Sequence, residues 1–426
     1  MRLFVCSLVL LMGCSSKYTL DTGEPEDCTL GGRLDYIADR MHGEYLWAEY
    51  APELDSFGYG SPEVYLSDHR YEELDRWSYA KDLTEANAYW EEGAYVGTGI
   101  KLRFDVDGYP YFALVYPDGP AGQAGLKRGE RIIALNGVPM SEIESSGDWE
   151  AAYGPQEAGA VVTFTVDTPD GVERDADVVL GEVIIPPILG TRTFELDGQP
   201  AGYFMLTSFV EPAEAALDEV FETFADAGVR TVFIDLRYNG GGLISVARRL
   251  AGQLLPEHEG EVFQHYRHNE AFSDTDDATY LEAQTHAIDA RAVVVLTTGS
   301  TASASEMLAF ALEPYLPVWR VGSTTYGKPV GMDHFETCDL FVAPITFQVA
   351  NRDESADWFD GLPPHCGALD DLNTEPGADD DPMMLAGVTM ARGDDCVSAV
   401  SLGPQRLGAS QRNSVSDDAW RAMTGW

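Results

Sequence analysis

The stretch Ala292-Val-Val-Val-Leu-Thr-Thr-Gly-Ser-Thr-Ala-Ser-Ala-Ser-Glu306 joins an apolar run to a cluster of small hydroxyl residues. The run Ala292–Leu296 has the length and β-branched composition of a buried strand. Residues around Ser303 are typical of a helix start, where serine caps free backbone N–H groups. A strand-to-helix junction also suits a nucleophile, because the helix N-terminus favours developing negative charge. The stretch therefore allows two interpretations, a helix cap or a reactive serine.

Strand and helix patterns alternate through the region that contains this stretch. A strand is predicted at Ala201–Leu206, an amphipathic helix at Glu211–Ala227 and a second strand at Thr231–Leu236. Such alternation predicts a largely parallel sheet, in which ligands bind at the carboxyl ends of the strands. The serine cluster and the triplet Gly240–Gly242 both follow predicted strands. We therefore predict an α/β core over residues 183–365.

The part of the chain before this core contains two regions with different sequence patterns. Residues 31–92 show apolar residues at helical spacing and predict an N-terminal helical region. Residues 93–182 predict a small β domain with a short helix. Within it, YVGTGIKL (95–102) and GPAGQAGLKRGERIIALNG (119–137) resemble a PDZ domain of the bacterial-protease kind. The complete fold class is therefore α+β multidomain.

The PDZ resemblance implies a peptide-binding site. Such domains add an extended peptide to a sheet edge, and backbone N–H groups of a loop hold its terminal carboxylate. Glycines in that loop allow the backbone to approach the ligand closely. The alternative is a structural β domain whose glycines serve turns. The resemblance assigns the loop to Val96, Gly97, Thr98, Gly99 and Ile100.

The first residues of the chain have the features of an export signal. A short apolar run, residues 3–12, follows Arg2 and leads to Gly13-Cys14. The run is too short for a membrane span, and it resembles a bacterial lipoprotein signal. Residues 1–13 would then be removed, Cys14 would carry the lipid anchor, and residues 14–30 would form a tether. An ordinary secretory signal is the alternative, and both interpretations predict export. With the lipid anchor, the chain would lie in the cell envelope, facing the periplasm or exterior.

Four other cysteines remain in the exported chain, at positions 28, 338, 366 and 396. An even number in an oxidising compartment predicts two disulfides, with three possible pairings. A four-cysteine zinc site is disfavoured because no two of them form a close pair. No metal or cofactor is therefore expected.

The formal net charge of -44 restricts the partners of this chain. A polyphosphate would be repelled, which argues strongly against a nucleic-acid partner. We interpret most of the charge as a solvated acidic surface. Residues 366–426 are acidic and loop-rich, and we predict a C-terminal appendage without assigned chemistry.

Three blocks in the core occur in one order: DLRYNGGG (235–242), STASASE (300–306) and TTYGKPVG (324–331). Together with the preceding PDZ pattern, they resemble the tail-specific, or C-terminal processing, serine peptidase family, over roughly residues 31–365. The resemblance implies that Ser303 is the nucleophile and Lys328 the general base. It assigns the oxyanion hole to the backbone N–H groups of Gly241, with Gly240 as an alternative, and Ala304.

A lysine base requires a particular environment. Lys328 accepts a proton only when neutral, so its reference pKa of about 10.4 must fall toward about 7–8, which burial promotes. Many members of the family have a glutamine four residues after the lysine, where this chain has Met332. Ser300, Thr301 and Ser305 are nearby hydroxyl residues that could orient the amine instead.

These features predict an exported serine endopeptidase that cleaves polypeptides through a Ser–Lys dyad, with the PDZ domain binding or gating on substrate C-terminal ends. One alternative is a catalytically degenerate peptide-binding lipoprotein, which Met332 favours. Another is a Ser–His–Asp esterase, for which His334 is the best-placed histidine.

Overall fold

The computed structural model of the chain describes residues 28–105 and 108–396. Its α-helices are α1 (Leu30–His42), α2 (Pro62–His69), α3 (Leu83–Glu91), α4 (Pro120–Gln123), α5 (Met140–Ser146), α6 (Trp149–Tyr153), α7 (Ala213–Ala227), α8 (Ile244–Leu254), α9 (Ala304–Leu312) and α10 (Pro382–Ala391). Short 3-10 helices are present at Ala48–Tyr50, Pro256–His258 and Glu270–Thr275.

The strands lie in five sheets. In chain order they are β1 (Tyr79–Asp82), β2 (Ala94–Gly97), β3 (Ile100–Phe104), β4 (Pro110–Val115), β5 (Arg131–Leu135), β6 (Val138–Pro139), β7 (Val161–Asp167), β8 (Glu173–Val179), β9 (Gly181–Ile184), β10 (Ile188–Leu196), β11 (Gln199–Leu206), β12 (Thr231–Asp235), β13 (Val262–Arg267), β14 (Asp277–Tyr280), β15 (Ala292–Thr297), β16 (Val318–Gly322), β17 (Val330–Met332), β18 (Phe335–Thr337), β19 (Leu340–Ala343), β20 (Ile345–Ala350) and β21 (Cys366–Gly367).

The N-terminal region contains three helices, whose first turns are capped by Thr29, Ser61 and Asp82. Each cap side chain accepts a backbone N–H that the helix leaves without an internal partner. The region does not stand apart from the core, because β1 pairs with β19 in the sheet β1-β19-β18. The shared apolar cluster includes Ile37, Trp77 and Val342. This packing brings the N-terminal region against the segment that follows Lys328.

The β domain is an antiparallel sheet in the order β3-β4-β5-β7-β8, with β6 paired to β5 and α4, α5 and α6 alongside. Burial alternates along β7, because one face of the strand packs on the domain core and the other meets solvent. The core contains Phe112, Trp149 and Phe164. This architecture is that of the predicted PDZ domain.

The central six-stranded sheet has the order β10-β11-β12-β15-β16-β21. Only β10 runs antiparallel to its neighbour, and the other five strands are parallel. Every residue of β15 is buried, as expected when helices cover both faces of a parallel sheet. Helices α7, α8 and α9 contribute to the apolar cluster on one face, and α10 contributes to the cluster on the other. The mostly parallel peptidase-type core is therefore confirmed.

The described part of the C-terminal segment, residues 366–396, is built into this core. Strand β21 extends the central sheet, and α10 packs against β15 and β16. Asp381 caps α10, is fully buried, and forms an ion pair with Arg237 at 2.5 Å. The acidic composition of this segment gave no sign of these contacts.

The structure selects one of the three disulfide pairings. Cys28 is bonded to Cys338, next to the β18–β19 turn, and Cys366 to Cys396, which closes the C-terminal segment. These four cysteines therefore have no free thiolate for zinc. Across residues 28–105 and 108–396, no group of three or more metal-ligating side chains is arranged around a metal position. No helix in the same residues is long and apolar enough to cross a membrane.

Candidate active site

Three loops meet at one edge of the central sheet, because they follow three neighbouring parallel strands. Strand β12 ends at Asp235, β15 at Thr297 and β16 at Gly322. The loops that follow carry the glycine triplet, Ser303 and Lys328, respectively. The carboxyl edge of a parallel sheet is where the fold places ligands.

Ser303 occupies the N-cap of α9 with an unusual backbone conformation, φ 53° and ψ -121°. A positive φ is strained for a residue with a side chain and costs about 1–3 kcal/mol. Two hydrogen bonds hold this turn: Ala302 N–H donates to the Asn239 carbonyl, and Met307 N–H to the Ser303 carbonyl. The side chain is 9% exposed. Such a turn presents a serine hydroxyl at the sheet edge, as in the nucleophile elbows of other hydrolases.

Gly241 lies directly against Ser303. Its φ is 109°, and a Cβ atom there would stand 2.8 Å from the Ser303 Cβ, so no other residue fits without displacement. The N–H of Gly241 donates to Asn239 Oδ1 at 2.8 Å. By contrast, the N–H groups of Gly240 and Ala304 have no acceptor among the described residues. The loop therefore offers two uncommitted donors beside the serine.

Glu306 joins the serine turn to the lysine loop, a role the sequence analysis did not foresee. Its Oε2 accepts the N–H groups of Ser303 and Lys328, both at 2.9 Å. Its Oε1 accepts the Gly327 N–H at 2.7 Å and the Thr325 hydroxyl at 2.5 Å. Burial raises the pKa of Glu306, and the four donors, which favour the carboxylate, oppose that rise. One buried carboxylate thus sets the spacing between the backbones of Ser303 and Lys328.

The Lys328 side chain is 8% exposed and lies in a largely apolar environment. Its Nζ is 3.9 Å from the Met332 sulfur and 5.9 Å from the centre of the Trp77 ring. The neighbouring hydroxyl residues have other partners: Thr301 Oγ1 donates to the Leu236 carbonyl at 2.7 Å, and Ser305 Oγ to the Asn239 carbonyl at 2.9 Å. These two side chains therefore brace the glycine loop.

His334 stacks between aromatic rings, 6.4 Å from Trp90 and 4.8 Å from Phe341. Although part of the ring reaches solvent, burial of the rest lowers its pKa, and Lys328 adds to this while Asp333 opposes it. No carboxylate among the described residues forms a hydrogen bond with this ring. The contacts of His334 are therefore those of a packed aromatic residue.

The PDZ loop packs against the start of α4. The Thr98 carbonyl accepts the Ala121 N–H at 2.8 Å, and the Gly99 carbonyl accepts the Tyr116 N–H at 2.8 Å. A Cβ on Gly99, at φ 77°, would meet the Gly119 Cα at 3.3 Å. The loop is therefore compact, and a larger residue at position 99 would be both strained and crowded.

An open sheet edge lies next to this loop. Val96 and Gly97 belong to β2, which pairs with β9, and Ile100 begins β3. Within the described PDZ sheet, β3 has β4 as its only strand neighbour. An extended peptide could add to the free side of β3, which is the recognition mode of this domain type.

Comparison with known proteins identifies the two main units. Residues 200–365 match the model of peptidase family S41, and residues 111–166 match a PDZ domain model. The match identifies residues 200–365 as similar to the peptidase domain of family S41. The three sequence blocks, residues 235–242, 300–306 and 324–331, lie at the carboxyl edge of the central sheet, where Ser303 and Lys328 are found.

Curated proteins that resemble this chain include C-terminal processing proteases. The protease from Picosynechococcus sp. is 29% identical over 248 residues, which cover 57% of this chain and 56% of the relative. CtpA of Bacillus subtilis is 24% identical over 256 residues, covering 60% and 52%, respectively. The chain thus spans about half the length of the curated relatives it matches.

Two solved structures share the fold of this chain. A protein assigned to the S41 proteases from Bacteroides fragilis superposes with a TM-score of 0.65 at 22% identity, covering 84% of this chain and 97% of its own. The photosystem II D1 C-terminal processing protease gives a TM-score of 0.55 at 20% identity, covering 87% and 98%, respectively. These likenesses support the multidomain architecture.

A buried ionic network connects the PDZ domain with the glycine loop of the S41 domain. Arg128, in the PDZ domain, donates to the Tyr238 hydroxyl at 2.7 Å and to Asp370 Oδ1 at 2.9 Å. Arg237 donates to the same Asp370 oxygen at 3.1 Å. Burial would raise the pKa of Asp370, but Arg237 and Arg128 outweigh it and lower that pKa. Arg128 lies in the PDZ motif (119–137) and Arg237 in the block DLRYNGGG (235–242). No sequence pattern predicted that Asp370 would contact them.

The substitution Glu306→Gln should destabilise the fold. Glutamine has the same shape but presents an NH₂ group where the carboxylate accepts N–H groups, so at least one buried donor loses its partner. We expect the free energy of unfolding to fall by about 2 kcal/mol, measured by urea denaturation. Glu222→Gln, at an exposed position of α7, should change it by less than about 0.5 kcal/mol. Equal stabilities of the two variants would contradict a bridging role for Glu306.

Proposed function

We propose that this chain is an exported serine endopeptidase that cleaves polypeptides with Ser303 as nucleophile and Lys328 as general base. The observation that supports the dyad most directly is the shared carboxylate oxygen of Glu306, which lies 2.9 Å from the backbone nitrogen of each residue. The strained turn at Ser303 and the burial of Lys328 are consistent with these roles. The match of residues 200–365 to peptidase family S41 supports peptide hydrolysis as the reaction class.

In this mechanism, neutral Lys328 takes the proton from the Ser303 hydroxyl as the oxygen attacks the carbonyl carbon of the scissile peptide bond. The carbonyl oxygen becomes an oxyanion, which accepts hydrogen bonds from the Ala304 N–H and from the glycine loop. The intermediate collapses, the C–N bond breaks, and Lys328 returns the proton to the leaving amine. Water then attacks the acyl-enzyme, with Lys328 again accepting and returning the proton.

The oxyanion hole can be formed in two ways. Gly240 N–H is uncommitted and could serve directly with Ala304. Gly241, the family assignment, would have to share or exchange its hydrogen bond with Asn239 Oδ1 when substrate arrives. Both use the same loop, whose position depends on the contact between Gly241 and Ser303.

Turnover of an unfolded, unrelated protein tests the dyad. The chain from Ser15 onward should cleave it, while Ser303→Ala and Lys328→Ala should reduce the rate at least 1,000-fold, because each removes a group that takes part in bond formation or proton transfer. Fragments would be identified by gel electrophoresis and mass spectrometry. His334→Ala should retain at least a third of the activity.

The outcomes also separate the alternatives. Activity that survives Ser303→Ala would overturn the nucleophile assignment and point to Ser300 or Ser305. Loss of activity in His334→Ala with retention in Lys328→Ala would favour the Ser–His–Asp esterase. No cleavage by the unmodified chain on a panel of unfolded proteins would favour the peptide-binding lipoprotein, the interpretation supported by Met332.

We further propose that the PDZ domain binds the C-terminal end of a polypeptide at residues 96–100. The open edge of β3 and the compact loop before it support this assignment. A Ser303→Ala protein should bind a peptide with a free C-terminal carboxylate at least tenfold more tightly than its C-terminal amide, because the amide lacks the charge that the loop N–H groups attract. Fluorescence polarisation would measure both affinities, and equal values would contradict carboxylate recognition.

Export and lipid anchoring at Cys14 are the remaining part of the proposal. Residues 1–27 lie outside the described residues, so support comes from the sequence pattern alone. In a bacterial host, the intact chain should fractionate with membranes, and Cys14→Ser should shift it to the soluble fraction. Mass spectrometry would detect the lipid on the N-terminal peptide. Membrane association that persists in the Cys14→Ser variant would contradict an anchor at this residue.

A further inference from the structure

Arg76 and Trp77 reach the lysine loop from the N-terminal region. Arg76 Nε donates to the Tyr326 hydroxyl at 3.0 Å, across a sequence separation of 250 residues. The Arg76 guanidinium lies 5.0 Å from the centre of the Tyr326 ring and 4.5 Å from the centre of the Trp77 ring. Lys328 Nζ lies 5.9 Å from the same Trp77 centre. The indole of Trp77 is therefore in contact with two cationic side chains.

The position of Trp77 is fixed by a buried carboxylate. Asp75 Oδ1 accepts the N–H groups of Trp77 at 2.8 Å and Ser78 at 3.0 Å. Asp75 Oδ2 accepts the Tyr45 hydroxyl at 2.8 Å. Trp77 itself is 6% exposed. The indole is therefore held beside the Lys328 amine. It excludes water, which favours the neutral amine, while the negative face of the ring attracts the ammonium form. Arg76 is held next to the same ring.

We propose that Arg76 and Trp77 are positioning residues for Lys328: Trp77 shields the amine from water, and Arg76 favours its neutral form by charge repulsion. The inference rests on the proposed function, since it matters for catalysis only if Lys328 is the base. The Arg76 guanidinium and Lys328 Nζ lie 4.5 Å and 5.9 Å from the Trp77 ring centre, and these two distances limit their separation. Two charges at such a separation interact in a partly buried site. Only the ammonium form is repelled, so Arg76 shifts the equilibrium toward the amine that can accept a proton.

Several carboxylates near Lys328 act in the opposite direction. Glu306, on α9, accepts the Lys328 N–H, and Asp75 accepts the Trp77 N–H. Asp333 follows β17, and Asp360 belongs to the backbone segment that packs against the loop before Lys328. Each of these groups, when ionised, favours the ammonium form. A nearby cation is therefore needed to offset them.

The other basic group near the amine is His334. Burial lowers the pKa of its imidazole, which weakens any repulsion of Lys328 by this ring. An arginine guanidinium differs from an imidazole in keeping its charge over the pH range of such assays. The contribution of Arg76 is therefore constant across the acidic limb of the pH–rate profile, where protonation of Lys328 sets the rate.

Arg76→Gln tests this inference. Removal of the positive charge should make Lys328 a stronger base, so the acidic limb of kcat/KM should move to higher pH by about 0.5–1 unit. Activity at pH 7 should fall three- to tenfold, whereas the plateau at high pH should be unchanged. Arg76→Lys keeps the charge, so its acidic limb should stay close to that of the unmodified protein. Arg70→Gln, whose side chain bonds to Ser67, is the matched control and should leave the limb in place.

A purely structural role would have a different signature. Arg76→Gln would then lower kcat/KM by the same factor at every pH, and that result would overturn the inference. Because Lys328→Ala is measured in parallel, the proposed function is judged separately. An active Lys328→Ala protein would reject the dyad itself, whereas an inactive one together with an unshifted Arg76→Gln limb would reject only the role of Arg76.

Discussion

The candidate site depends on one buried carboxylate. Glu306 lies in the first turn of α9, and its two oxygens accept four donors from two separate loops. A carboxylate so placed is the only common side chain that can accept from both loops while donating to neither. The desolvation cost of burying the charge is offset because every donor has a fixed position. The result is that the backbones of Ser303 and Lys328 cannot drift apart without breaking a buried network.

The strain at Ser303 follows from the same arrangement. A positive φ persists only where the surroundings over-determine it. Here the N–H of Ser303 is held by Glu306, its carbonyl accepts the N–H of Met307, and Gly241 leaves no space for the turn to relax. The carboxyl ends of three parallel strands bring these parts together, and the helix start then completes the turn. From the sequence, a helix cap and a reactive serine were alternative interpretations of this stretch. The two roles are compatible, because Ser303 occupies the N-cap of α9 and also lies at the sheet edge.

The sequence predicted those parts of the fold that have local signals. Alternating strands and helices indicated the parallel sheet, and the glycine-rich motifs indicated the PDZ domain. Parallel topology predicted that the glycine triplet and the serine cluster lie at the carboxyl ends of strands, whereas the choice of Ser303, Lys328 and Gly241 came from the family resemblance. The sequence did not reveal what Glu306, Trp77 or Asp370 contact, because each acts across a long sequence separation. Amino-acid composition does not distinguish a buried aspartate such as Asp370 from an exposed one, because only the packing around it differs.

The PDZ domain and the glycine loop share a charged boundary, and this has a physical consequence. Asp370 accepts from Arg128 on the PDZ side and from Arg237 on the S41 side, while Tyr238 contacts Arg128. Removing one member of such a buried network leaves an uncompensated charge, so the members must move together or not at all. Asn239, which follows Tyr238, positions Gly241 through its side chain. A displacement of the PDZ domain would therefore act first on Tyr238 and the glycine loop, whereas Lys328 is held separately by Glu306 and the N-terminal region.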